Sequence, residues 1–242
     1  IKCERKYSFD KYKKGRSYII TCVNSVHGRT IATLSATDKE IMHDFFFPFL
    51  DGFVYTEAGD FEKFKKAADK KTVCAVMTEF IQGEGGVLVQ DKEFIKKVYE
   101  YCKENDILFI ADEVQTGNGR TGKLYAFEHF EIKPDIITTA KGLGNGLPIG
   151  VVLMGEKVEE TLGAGSHGST FGGNPAVCAG ALSVLKSIDE ELLKGVSERE
   201  KIIRENLSDC KNNISGMGLM LGIECKDKNY VIKECAKRGL IV

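Results

Sequence analysis

The chain has 242 residues, 43% hydrophobic and 29% charged, and its 34 basic residues against 35 acidic ones leave a formal net charge of −1. That length admits one large α/β domain, or one plus part of a second, with a core that needs no staples. The charge balance offers nothing to a polyanion, and no apolar run, FFFPFL (45–50) included, approaches the roughly 18 residues of a membrane helix. A nucleic-acid binder, a membrane-spanning protein and a disordered chain are all disfavoured.

Along the chain, short β-branched or apolar runs alternate with charged segments of helical period. YIITCV (18–23) predicts a strand, FEKFKKAADK (61–70) a helix, and VCAVMTE (73–79) a second strand. Asp91 can cap a helix over 92–105, where Phe94, Ile95, Val98, Tyr99 and Cys102 fall on one face. Strands follow at ILFIAD (107–112), DIITTA (135–140) and IGVVLM (149–154). Apolar strands separated by helices imply a mostly parallel sheet with helices on both faces.

After residue 165 the pattern turns helical. Asn174-Pro175 is a cap and a first-turn proline for a helix over 176–193, and a charged helix follows at about 196–211. Gly216 and Gly218 lead to LMLGIEC (219–225), and a last helix covers 229–238. The division expected is a large domain over 1–193 and part of a smaller α+β domain over 194–242. Residue 1 is Ile and the chain stops on Gly239-Leu240-Ile241-Val242, an unfinished strand, so truncation at both ends is expected.

The eight cysteines stand singly with no CxxC pair, which fits reduced thiols in a cytoplasmic protein better than a disulfide scaffold. The four histidines show no zinc-ligand spacing, so no metal site is expected. The phenylalanines at 45, 46, 47 and 49 read as core or dimer contacts.

Three strands end in ionisable residues: Glu79, Asp112-Glu113 and Lys141. Ligands of open α/β sheets sit beyond the carboxyl ends of the strands, and neighbouring strands about 4.8 Å apart bring such residues together. The loop Gly117-Asn118-Gly119-Arg120-Thr121-Gly122-Lys123 imitates two nucleotide motifs and satisfies neither. Position 124 is Leu where a phosphate loop needs Ser or Thr, and the loop starts five residues past Asp112.

ILFIADEVQTGNGRTGKLYAFEHF (107–130), PDIITTAKGLGNGLPIG (134–150) and GSHGSTFGGNPAVCAGAL (165–182) resemble the class III aminotransferases, pyridoxal-phosphate enzymes of fold type I. VNSVHGRTIATLSAT (23–37) and EFIQGEGGV (79–87) match the same family in the same order. Within the family, His167-Gly168-Ser169-Thr170 and Pro148-Ile149-Gly150 are similar to the acetylornithine branch.

The resemblance implies that pyridoxal 5'-phosphate binds through Lys141, which then moves the substrate's proton. It implies that Asp112 pairs with the ring nitrogen, that Gln115 bonds the ring's phenolic oxygen, and that Glu113, Val114, Val26 and His27 complete the cofactor's surroundings. For His27, as for His167, packing or an interface place is the alternative. Thr170 corresponds to a threonine that reaches the cofactor phosphate across a homodimer interface. Arg29 and Ser169 correspond to substrate contacts, Arg29 through paired bonds to a carboxylate, and Glu79 to the glutamate that governs an active-site arginine.

The implied reaction moves the terminal amino group of N-acetylornithine to 2-oxoglutarate, giving N-acetylglutamate semialdehyde and glutamate in arginine biosynthesis. Ornithine or another ω-amino donor is the alternative within the class, and a truncated non-catalytic paralogue the alternative outside it. Three departures stand against the family pattern. Val26 replaces an aromatic residue, at a cost of about 0.5–1.5 kcal/mol of ring stacking. Phe80 replaces a proline. The upstream phosphate-receiving loop and the C-terminal arginine segment are missing from these 242 residues.

Overall fold

The computed structural model describes residues 1–69, 71–209 and 212–242. The ends of the helices expected over 61–70 and 196–211, with Cys210, lie outside the described residues. The strands are β1 (Tyr18–Cys22), β2 (Phe53–Thr56), β3 (Val73–Thr78), β4 (Ile81–Gln82), β5 (Leu88–Val89), β6 (Leu108–Asp112), β7 (Ile136–Thr139), β8 (Val151–Met154), β9 (Ile214–Met217) and β10 (Met220–Ile223). The helices are α1 (Lys2–Tyr12), α2 (Ile31–Leu34), α3 (Glu40–His43), α4 (Phe61–Ala68), α5 (Lys92–Glu104), α6 (Pro175–Ser187), α7 (Glu190–Asn206) and α8 (Lys228–Lys237).

The central sheet runs in the order β2-β1-β3-β6-β7-β8. Its first five strands are parallel, and β8 is antiparallel to β7. The sequence pattern makes β8 one more member of a mostly parallel set; its reversal follows from its connection. A parallel return needs a crossover of a dozen or more residues, normally a helix, and the loop from Ala140 to Gly150 holds only a 3₁₀ turn at Lys141–Leu143.

Strand alternation sorts the core onto two faces. Ile20, Val76, Phe109 and Ala111 pack with Phe64 of α4 and with Phe94, Ile95, Val98 and Cys102 of α5. Ile19, Ala75, Met77, Leu108 and Ile110 pack with Cys3 of α1 and with Val158 on the opposite face. Covering on both faces is why these strands read as unbroken apolar runs. The side chain of Asp91 caps α5 by accepting from the Phe94 N–H at 2.7 Å.

Two expectations are corrected here, that of one helix over 176–193 and that of a phenylalanine core at 45–47. The helix expected over 176–193 is broken after Ser187, because Asp189 accepts from the Leu192 N–H at 2.8 Å and starts α7. That helix runs straight through the boundary expected after residue 193. Phe45, Phe46 and Phe47 are exposed, Phe45 at 94%, so they are not core.

The β9–β10 hairpin is antiparallel and docks on the loop after β6. The Leu219 N–H donates to the Arg120 carbonyl at 2.9 Å, and the Gly218 N–H to Glu200 Oε2 at 2.7 Å. A side chain at Gly218 would strike the Arg120–Thr121 backbone, so only glycine permits this approach. Among the described residues, no helix is long and apolar enough to cross a membrane.

Candidate active site

Register decides what meets at the carboxyl end of the sheet. Thr78 of β3 lies beside Ala111 of β6, and Asp112 beside Thr138 of β7. Glu79 and Asp112 therefore leave adjacent strands at the same level, and Lys141 follows β7 by two residues.

Asp112 is buried and fully engaged. His27 Nδ1 donates to its Oδ2 at 2.7 Å, while the Thr138 hydroxyl and the Val114 N–H donate to Oδ1 at 3.1 and 3.2 Å. A carboxylate only accepts, so the proton of this pair sits on Nδ1. The opposite nitrogen of His27, Nε2, is buried without a partner. His27 comes from the loop after β1, whose fold is set by its own backbone bonds: its N–H donates to Thr37 Oγ1 at 2.9 Å, and Gln82 Nε2 holds the Val23 carbonyl at 2.7 Å.

Glu79 lies next to this pair. The Val26 N–H donates to its Oε2 at 3.0 Å. Burial nevertheless pushes its carboxyl up to about 7, with Asp112 adding to the rise and His27 opposing it. Val26, half-buried, thus serves the site first through its backbone. Phe80, where the family has proline, is wholly buried and packs on Phe130 at 4.8 Å between ring centroids.

Glu113 bonds within its own loop. Its carboxylate turns into the loop after β6, where it accepts from the Thr116 hydroxyl and from the Phe127 N–H at 2.8 Å. Burial raises its pKa against those bonds. It braces the loop that carries Val114 and Gln115.

A cleft of about 670 Å³ opens beside these strand ends, walled by Gln115, Asn118, Arg120, Lys141, Met220 and Gly83 among others. A side chain on Gly83 would collide with Gln115 Oε1, so the glycine leaves the amide its place in the wall. Lys141 is exposed and takes a left-handed φ of 43°, and Gly144 closes its turn where a Cβ would strike the Leu147 carbonyl. Sequence reasoning placed no role on Asn118. Its pattern position offers no signal, since its partners come from a strand more than twenty residues away.

Of the expected site residues, Gln115 and Lys141 line this cleft. Arg29 is exposed at the head of α2. Ser169 and Thr170 are exposed in the segment before α6, where Ser169 Oγ accepts from the Gly172 N–H at 2.9 Å. Ser169 lines a smaller cavity with Pro148 and Phe171, and Lys141 is not part of its wall.

An open, mostly parallel sheet with a lysine, a carboxylate–histidine pair and a glutamine at its strand ends is the fold type I architecture of pyridoxal-phosphate enzymes. The family model "Aminotransferase class-III" matches residues 1–242, and the chain belongs to that family. It is 47% identical, over its whole length, to an acetylornithine aminotransferase of Haemophilus ducreyi, of which it covers 63%. It superposes on an ornithine aminotransferase of Toxoplasma gondii, crystallised with partial occupancy of PLP, with a TM-score of 0.93, 33% identity and coverage of 99% of this chain and 60% of that one. An N-acetylornithine aminotransferase of Stenotrophomonas maltophilia gives a TM-score of 0.82 at 32% identity, covering 99% and 61%. The chain thus spans less than two thirds of the length of these relatives.

Proposed function

We propose that this chain is the cofactor-binding part of an aminotransferase that moves the terminal amino group of N-acetylornithine to 2-oxoglutarate. The observation that carries this reading is the common cleft of Lys141 and Gln115 beside a buried, three-fold bonded Asp112. An amine, a fixed carboxylate and an amide are the donor set that an aldehyde-bearing pyridine ring needs, so the residues fit pyridoxal 5'-phosphate. When bound, that group supplies a carbonyl for the amine and a ring that delocalises the charge left by deprotonation.

The protein's residues do the rest. Lys141 would hold the cofactor and, once displaced, take up at Nζ the proton of the substrate's amine-bearing carbon. Asp112 would face the ring nitrogen, kept in place by His27, Thr138 and the Val114 N–H. Gln115 would donate to the ring's oxygen. Arg29 and Ser169 would meet the substrate, with Glu79 modulating the charge near it. The exposed segment with Thr170 and Phe171 suits a surface covered by a second copy in a homodimer, Thr170 then reaching the partner's cofactor phosphate. The described cysteines are unpaired, as a reducing cytoplasmic setting would leave them.

Free ornithine is the second reading, favoured by the TM-score of 0.93 to an ornithine aminotransferase. The test is an absorption spectrum of the purified protein with pyridoxal 5'-phosphate. A visible band that N-acetylornithine bleaches, and that Lys141→Ala lacks, is the expected result. Faster bleaching by free ornithine would transfer the assignment to that donor. A band persisting in Lys141→Ala would overturn the role of Lys141.

A further inference from the structure

Lys141 stands in a backbone conformation that a lysine rarely adopts, with φ at 43° immediately after β7. Such a conformation persists only where its surroundings over-determine it. The peptide in front of it is held from one side by its own turn, through the Leu143 N–H donating to the Ala140 carbonyl at 2.9 Å. From the other side it is held by Asn118, whose Nδ2 donates to Thr139 Oγ1 at 2.9 Å and to the Ala140 carbonyl at 3.3 Å. A carbonyl only accepts, so the amide edge facing Ala140 is the NH₂ edge and the orientation of Asn118 is fixed by chemistry.

Asn118 is itself left-handed, with φ at 59°, a conformation asparagine tolerates better than most residues. Its Oδ1 is buried without a partner, and Asn118 and Lys141 wall the same cleft. A Cβ at Gly142 would lie 3.5 Å from the Asn118 Cβ, so the two loops are in contact. We propose that Asn118 is a positioning residue for Lys141: its amide clamps the end of β7 and thereby sets the direction in which the lysine side chain enters the cleft. The proposal deepens the cofactor reading above and rests on it for the role of Lys141.

The test compares wild type with Asn118→Gly and Asn118→Asp. Both replacements accept a positive φ, and both remove the amide donors, so the pair separates the hydrogen bonds from the loop's backbone. One readout is amide hydrogen exchange over residues 139–144 without cofactor. The other is borohydride trapping of pyridoxal 5'-phosphate as a function of pH, mapped by mass spectrometry at Lys141 against exposed Lys123.

In both variants, exchange over 139–144 should speed up by about tenfold, the worth of one or two hydrogen bonds, with β3 and β6 unchanged. Trapping at Lys141 should fall by about tenfold with an altered pH profile, while trapping at Lys123 stays constant. If Lys141 traps as in wild type in either folded variant, the proposal is overturned and the cofactor reading stands. If wild type itself traps no more at Lys141 than at Lys123, the cofactor reading fails and the positioning role falls with it. Unchanged exchange in both variants overturns the clamp whatever the trapping shows.

Discussion

The carboxyl end of the sheet and the segment from Ser169 to Asn174, both assigned to the site in the proposed function, are built in opposite ways. At the sheet end, Asp112, Glu79 and the His27 side chain are buried and bonded to one another's loops. The later segment leaves Ser169 and Thr170 exposed and Phe171 82% exposed, beside a wall of glycines. Strands fix the first set within a single chain. The second set is held by local turns, the Gly172 N–H donating to Ser169 Oγ and the Asn174 N–H to the Phe171 carbonyl. On the proposed function, one chain folds the ring half of the cofactor site, while the half that would meet phosphate and substrate would depend on assembly.

The largest effect expected is at Phe80, which lies beneath the packed region. Phe80→Ala should cost about 3–5 kcal/mol, the usual result of emptying a buried aromatic site, measured as a lower urea midpoint. A loss no greater than that of a surface substitution would erase the contrast between the regions. Glu79 sharpens it through pH. Its folded value, about 7, lies above its ordinary 4.5, so below pH 4.5 both folded and unfolded chains carry the proton. Between these values the unfolded chain releases its proton and the folded chain keeps it, and stability falls as pH rises towards 7. The loss then stays constant above that, at up to about 3 kcal/mol. Glu79→Gln should be more stable than wild type at pH 8 and equal to it in acid, as read from thermal melts at both pH values. A variant less stable at pH 8 would show the ionised carboxylate to be a net support.

The same division explains what was legible in the sequence. Strands β1, β3, β6 and β7 and the buried face of α5 are written in local pattern, because covering on both faces demands apolar runs and one apolar stripe. Asp112 and Lys141 stand out as candidates too, since strand ends of a parallel sheet converge, whereas Gln115 is marked only by the family resemblance. Helix α1 was not legible. Its sequence, KCERKYSFDKY, has no apolar stripe, and it is held from outside: Tyr7 and Lys11 reach Asp106 at 3.2 and 2.8 Å. The His27–Asp112 pair and the Asn118 clamp were equally hidden, because each joins residues far apart in the chain. The bonds of Glu113 to Thr116 and to the Phe127 N–H were hidden too, because the second crosses fourteen residues of loop.

Beyond the exposed segment, in α7, the expected effects are smaller. Asp189→Ala removes the cap that separates α7 from α6 and should cost about 1 kcal/mol. Because Val196 is the buried residue of α7, that loss should appear as faster hydrogen exchange in α7 with the sheet unchanged. A matching loss of protection in β3 and β6 would mean that the helix and the sheet unfold as one unit.

Thr170→Ala is the smallest change in stability and the clearest separation of the two regions. The side chain is exposed and Thr170 has no described hydrogen bond, so its removal should alter unfolding by less than about 0.5 kcal/mol. If Thr170 meets the phosphate of a partner's cofactor, the same substitution should weaken pyridoxal 5'-phosphate binding by about tenfold, the worth of one hydrogen bond to a charged group. Equilibrium dialysis at two protein concentrations reads both halves of the claim. The deficit of the variant should grow with concentration, because only an assembled site has Thr170 to lose. A deficit independent of concentration would place Thr170 at its own chain's cofactor, and no deficit would leave that segment outside the site.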